Sequence, residues 1–163
     1  MARRTFFSFH YKDDIRRVVQ VRNSGVIRGG DDTQPFMDKA EWEKLKRSSP
    51  NAIENWIEKQ LQGTSITVVL IGSDTYNRPW VKHEIKRSYQ LGKGMLGIYI
   101  HNIKDPQHGT SKKGKNPFDL WYVENNGKKT HFSEMYPTYD WVNDDGYNNI
   151  HKWIEKAAKA AGR

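Results

Sequence analysis

Trp80 and Glu84, four residues apart in the run PWVKHEI, are the pair in this chain best suited to chemistry. At about 100° per residue, a helix that sets Trp80 at about 0° brings Glu84 to roughly 40° and gathers Val81, Ile85, Ser88 and Gly92 around about 100°. Glu84 thus flanks a buried stripe and sits beside a large aromatic at the rim of a crevice. A carboxylate there is partly desolvated and suited to stabilising positive charge that develops on a ligand. The plainer reading of the same position is an exposed glutamate paired with its neighbours at Arg87 and Ser88.

Other reactive types offer less. The chain has no cysteine, which rules out a thiolate nucleophile, a thiolate metal site and a disulfide framework. The six histidines, His10, His83, His101, His108, His131 and His151, show no helix-face pair with a third ligand, so no metal is expected. Gly29 and Gly30 fit neither phosphate-loop pattern and read as a turn. Asp13, Asp14, Asp74 and Lys104 echo the acidic pocket and lysine of a phospho-receiver switch. That reading leaves Trp80 and Glu84 unused and puts Asp74 three residues beyond its strand.

The elements that must hold these groups alternate. Residues 5–9 (TFFSF) form a short apolar run bounded by charge, which predicts a buried strand. Asp13 or Asp14 then caps a helix carrying Ile15, Val18, Val19 and Val21, ending at Asn23, Ser24 and Gly25. Val26 and Ile27 open a second strand that the cluster from Gly29 to Thr33 cuts short; the cluster reads as a loop with a gating role at most. From Ser49 and Pro50 a helix buries Ile53, Trp56, Ile57 and Leu61 up to Gly63. Residues 66–71 (ITVVLI) have the near-continuous β-branched character of a central parallel strand covered on both faces. Pro79 opens the helix of Trp80 and Glu84, with Val81, Ile85, Ser88, Tyr89 and Gly92 facing inward, and residues 95–100 (MLGIYI) supply the next strand. A polar loop over 101–116 follows, then Phe118, Trp121 and Tyr122, and a closing helix from Gly146 with Ile150, Trp153, Ile154 and Ala157; Trp141 and Trp153 read as core.

Strands separated by helices imply right-handed crossovers, with the residues at 5–9 and 66–71 paired in parallel. The expected fold is α/β, a doubly wound parallel sheet in a single domain spanning 1–163. In such sheets ligands bind outside the carboxyl ends of the strands, here at Phe9–Asp14, Gly72–Trp80 and His101–Lys104.

Net charge is +8, from 27 Lys and Arg against 19 Asp and Glu, which favours anionic or phosphorylated partners. The basic residues are dispersed and no nucleic-acid motif accompanies them, so no specific nucleic-acid partner is expected. The apolar start at Phe6 and Phe7 meets His10, Lys12 and Asp13 too soon for a signal peptide, and no run approaches the roughly 18 apolar residues of a membrane span. A cytoplasmic protein without a membrane partner is expected.

Three segments carry a family resemblance. RTFFSF with HYKDD at residues 4–14, SDTY at 73–76 and WVKHEI at 80–85 resemble the first motif, the third-strand exit and the Trp-x-x-x-Glu motif of TIR domains. More narrowly, SFHYKDD with RRVVQVRNSG resembles the TIR-like proteins of bacterial and archaeal Thoeris antiphage systems, over residues 4 to about 104. The resemblance implies a flavodoxin-like, TIR-like fold and cleavage of NAD at the nicotinamide–ribose bond, with NAD as substrate and no further cofactor. It implies a cyclic ADP-ribose isomer as messenger to a downstream effector, activation by a phage component, and self-association. Glu84 matches the catalytic glutamate and Trp80 the aromatic before it, while Phe9, His10, Tyr11 and Ser73 match substrate-facing positions. Many TIR domains carry an arginine after the first strand where this chain has His10 and Tyr11, so ligand contacts there are made differently. A TIR-like module that binds copies of itself or a partner and catalyses nothing is the competing reading, because fold alone does not fix function.

Overall fold

The computed structural model describes residues 4–29 and 39–163. Its centre is a four-stranded parallel sheet in the order β1 (Thr5–Ser8), β2 (Ile66–Ile71), β3 (Gly94–Tyr99) and β6 (Thr138–Asp140). β1 pairs with β2 from Thr5 opposite Ile66 to Ser8 opposite Val69, the parallel neighbours expected from their apolar character. Between these strands run α1 (Tyr11–Gly29), α2 (Lys39–Ser48), α3 (Ala52–Gln62) and α4 (Pro79–Gln90). An antiparallel hairpin of β4 (Tyr122–Asn125) and β5 (Lys128–His131) and the single turn α5 (Phe132–Met135) precede β6, and α6 (Gly146–Ala160) closes the described chain.

Alternation along the strands divides the core between the two faces of the sheet. On one face Phe7, Val68, Leu70, Leu96 and Ile98 pack against Val18 and Val21 of α1 and Ile150, Ala157 and Ala158 of α6, with Trp141 and Trp153 partly buried against them. On the other, Val69, Ile71 and Met95 meet Val81 and Ile85 of α4 with Phe118 and Phe132. Phe6 of β1 joins Ile53, Ile57 and Leu61 of α3. Each fully buried aliphatic side chain contributes about 1.5–3 kcal/mol, so both layers of helices are held on by their apolar stripes.

Local signals misplace several boundaries. α1 begins at Tyr11, ahead of Asp13 and Asp14, which occupy its first turn where the helix dipole favours acids. It also continues through Asn23, Ser24 and Gly25, so Val26 and Ile27 are helical and do not open a strand. Within the helix the Ser24 hydroxyl donates back to the Val21 carbonyl at 2.7 Å. Pro50 lies in the turn before α3, which starts at Ala52. α2, the β4–β5 hairpin and β6 are elements the sequence reading lacks. Tyr89 is partly exposed, and Gly92 lies beyond α4 at a φ of 68°. Of the proposed Gly29–Thr33 loop, Gly29 ends α1 and the remainder lies outside the described residues.

The segment 101–116 forms no regular strand or helix, yet it is fastened down. Arg17 of α1 donates from Nε to the Ile103 carbonyl at 2.9 Å and from Nη2 to the Gly109 carbonyl at 2.8 Å. Gln20 donates to the Lys104 carbonyl, and Arg16 lies 3.5 Å from Asp105. Among the described residues, no helix is long and apolar enough to cross a membrane.

Candidate active site

Glu84 is not at a rim. Its side chain lies beneath α4 at 7% exposure, facing the sheet, while Trp80 one turn earlier is 39% exposed. The expected angular neighbourhood is correct but the depth is not, because the side chain turns inward onto β1, where Ser8 lies. Ser8, at the carboxyl end of β1, donates its hydroxyl to Glu84 Oε1 at 2.6 Å. This bond replaces the expected surface pairing; Arg87 instead binds Glu58 of α3, and the Ser88 hydroxyl donates to the Glu84 backbone carbonyl.

Ser8 and Glu84 begin a buried polar seam between α4 and the sheet. Thr67 of β2 and Ser88 share a hydrogen bond of 2.7 Å, and Lys93, just before β3, donates to Thr64 Oγ1 at 2.7 Å. Lys93 is 2% exposed, and its ammonium lies 5.5 Å from the centre of the Phe6 ring. Burial pushes the Glu84 carboxyl up to about 8, opposed by the Ser8 hydrogen bond and the charge of Lys93. Burial also pulls Lys93 down to about 7, opposed by Glu84. Loss of water dominates for both groups, and each is the other's main electrostatic relief.

The remaining expected residues gather where β1 and β2 end. Phe9 packs on the core and stacks on Tyr11, with ring centres 6.3 Å apart. His10 Nδ1 lies 3.2 Å from Asp13 Oδ2, and burial together with the nearby Arg78 charge lowers its pKa. Ser73 is exposed just beyond β2, and Trp80 meets His83 edge-on at 5.7 Å. Glu84 is joined to this end of the sheet through Ser8, immediately before Phe9.

His10, Asp13 and Asp74 bring one ligand atom each within 4.8 Å of one another. These donors suit a divalent cation by type, although the sequence reading expects no metal. Asp74 is bound by Arg78 and Asn77, whereas His10 Nδ1 lies 3.2 Å from Asp13 Oδ2 without a hydrogen bond of good geometry.

Sequence reasoning places Asp14 and Gly72 at this end but misses how they build its floor. Asp14, 1% exposed, lies against Gly72, where an added Cβ would stand 2.1 Å from Asp14 Oδ2. Burial raises the Asp14 carboxyl to about 6 against the opposing charge of Arg17, 3.5 Å away. Gly114 in turn presses on the Gly72 carbonyl, where its own Cβ would approach to 2.1 Å. Glycine at 72 and 114 therefore lets Asp14, the end of β2 and the 101–116 segment stack without a gap. The signal for Ser8 was available: it shares strand parity with Phe6 and so had to face inward.

A parallel sheet flanked by helices, with aromatic and acidic groups at its carboxyl ends and a glutamate one turn after a tryptophan, is the architecture of a TIR-like domain. A family profile described as Thoeris protein ThsB, TIR-like domain matches residues 6–105, and the chain belongs to that family. It is also 36% identical, over 94% of its own length and the whole of the relative, to a protein of Bacillus cereus (strain MSX-D12) provisionally named cyclic ADP-D-ribose synthase ThsB1.

Proposed function

We propose that this chain cleaves NAD between nicotinamide and ribose and releases a cyclic ADP-ribose isomer as an antiphage signal. The observation that carries the reading is Glu84, a buried carboxylate hydrogen-bonded through Ser8 to the strand end where ligands of such sheets bind. The full-length similarity to a protein named as a cyclic ADP-D-ribose synthase supports the same chemistry.

The chemistry needs one carboxylate, whereas ordinary glycoside hydrolysis uses two. The nicotinamide ring nitrogen of NAD is already cationic. When the bond to the ribose carbon breaks, its electron pair returns to that nitrogen and nicotinamide leaves neutral, without a general acid. Positive charge then builds on the ribose, where Glu84 stabilises it and holds the hydroxyls. A carboxyl that burial keeps protonated releases its proton to solvent when a cationic ring arrives beside it, because an opposite charge favours the ionised form. Attack by a nitrogen or hydroxyl of the same molecule, with loss of its proton where it carries one, closes the ring; attack by water gives ADP-ribose. Phe9, Tyr11 and Trp80 form the walls that limit water, while His10 and Ser73 contact the polar parts of the substrate.

The same reading gives the chain a cytoplasmic location, a downstream effector that senses the nucleotide, a phage component that triggers it, and association with its own copies. One observation favours the non-catalytic alternative, an interaction module: Glu84 turns inward to Ser8 and Trp80 is partly exposed. Incubating the protein with NAD in lysate from phage-infected cells separates the two. Nicotinamide and a cyclic product by mass spectrometry support the enzyme; their absence with and without infection, from folded protein, favours the module.

A further inference from the structure

β1 presents Phe6 and Ser8 on one face, two residues and therefore about 6.6 Å apart along the strand. Glu84 reaches this face at the Ser8 hydroxyl, and Lys93 reaches it at the Phe6 ring. The two side chains come from the middle of α4 and from the turn that follows it, and both are buried. Lys93 takes no part in the chemistry described above and is far from the exposed surface where lysines normally stay. A buried ammonium needs a reason, since dehydrating it is costly unless a charge or dipole compensates.

We propose that Lys93 is a positioning residue for the reaction: from the same face of β1 it supplies the opposite charge that eases the ionisation of Glu84 to its charge-stabilising form. This rests on the assignment of Glu84 as the catalytic carboxylate. Thr64 fixes the ammonium by accepting its hydrogen bond, and the Phe6 face adds a cation–π contact that keeps it dry. Of the other charged groups on α4, Lys82 and Lys86 lie over the Trp121 ring. Arg87 is paired with Glu58 of α3, with His83 of α4 bearing electrostatically on that same glutamate. Arg163 donates to the carbonyls of Leu91 and Gly92, where its like charge opposes that of Lys93. Lys93 thus supplies the positive charge that bears on the Glu84 carboxylate, and Ser8 is its hydrogen-bond donor.

The test is the pH profile of nicotinamide release from NAD in phage-infected lysate, for wild type, Lys93→Met, Lys93→Arg and Glu84→Gln. With Lys93→Met the acid limb of kcat moves alkaline by about one unit, a loss of about tenfold at pH 7, recovered above pH 9, while KM changes less than about threefold. Lys93→Arg keeps the charge and restores most of the profile. An unmoved limb in folded Lys93→Met, with Glu84→Gln inactive at every pH, overturns the role of Lys93 and leaves Glu84 standing. Full activity in Glu84→Gln removes the underlying assignment instead. Should Lys93→Met not fold, carbon-13 NMR titration of the wild-type glutamate carboxyls and lysine ε-carbons decides, with Glu84 and Lys93 identified from Glu84→Gln and Lys93→Arg. Shared inflections in the two curves support the coupling; independent single steps overturn it.

Discussion

Glu84→Gln separates the charge of this side chain from its shape, and the structure predicts opposite effects on activity and stability. Below the ordinary value of 4.5 the carboxyl is protonated both folded and unfolded. Between 4.5 and about 8 the folded protein keeps a proton that the unfolded chain has released, so the contribution of Glu84 to stability falls as pH rises. At about 1.4 kcal/mol per pH unit, the whole window amounts to at most roughly 5 kcal/mol. Lys93 acts in the other direction, its contribution rising between about 7 and 10.5, so the pair's combined effect is least favourable at pH 7–8. Glutamine keeps an oxygen for the Ser8 hydroxyl and cannot ionise. Relative to wild type, Glu84→Gln should therefore gain about 2 kcal/mol between pH 5 and pH 7, or about 4–8 °C in Tm for a chain of this size. Nicotinamide release should fall by about 10²- to 10³-fold. Urea unfolding of both proteins at pH 5, 6 and 7, alongside triggered NAD turnover, gives both readouts. Parallel stability curves across this range would show that Glu84 titrates as an exposed carboxylate and refute its burial; undiminished turnover would remove it from the mechanism.

Trp80→Ala removes a wall without opening the core, so the ratio of cyclic isomer to ADP-ribose in the mass spectrum should shift toward ADP-ribose; an unchanged ratio makes Trp80 a packing residue only. Gly72→Ala drives a methyl into Asp14 and should cost more than about 2 kcal/mol in urea unfolding, whereas Gly127→Ala in the exposed hairpin turn, where φ is 79° but no atom lies within 4 Å, should cost about 1 kcal/mol. Arg17→Met leaves Asp14 without its opposing charge and removes the side-chain donor to the 103 and 109 carbonyls, so hydrogen exchange over 101–110 should accelerate at least tenfold while exchange in β2 stays slow. Ile57→Ala empties a fully buried position and should cost about 2–5 kcal/mol.

By itself the sequence determined the elements with strong periodicity. Residues 5–9 and 66–71 are so continuously apolar that only paired, covered strands satisfy them, and the stripes of α3, α4 and α6 are readable for the same reason. Family membership was legible too, because SFHYKDD and WVKHEI are local strings. β6 escaped because a three-residue strand carries no period, and Gly25 misled because a glycine stops a helix only when nothing downstream rewards its continuation. The site divided along the same line. Glu84 and Trp80 are neighbours by helical angle, which sequence fixes, but whether a residue faces water depends on what packs beside its helix. Packing against β1 decided that, with Glu84 turned inward onto Ser8 and Trp80 left partly exposed. Lys93, Ser8, Asp14 and Arg17 acquire meaning only through partners far along the chain, as in the 76-residue separation between Ser8 and Glu84. Desolvation and Coulomb coupling depend on distances in space, and those distances exist only once the sheet has brought the two ends of the motif together.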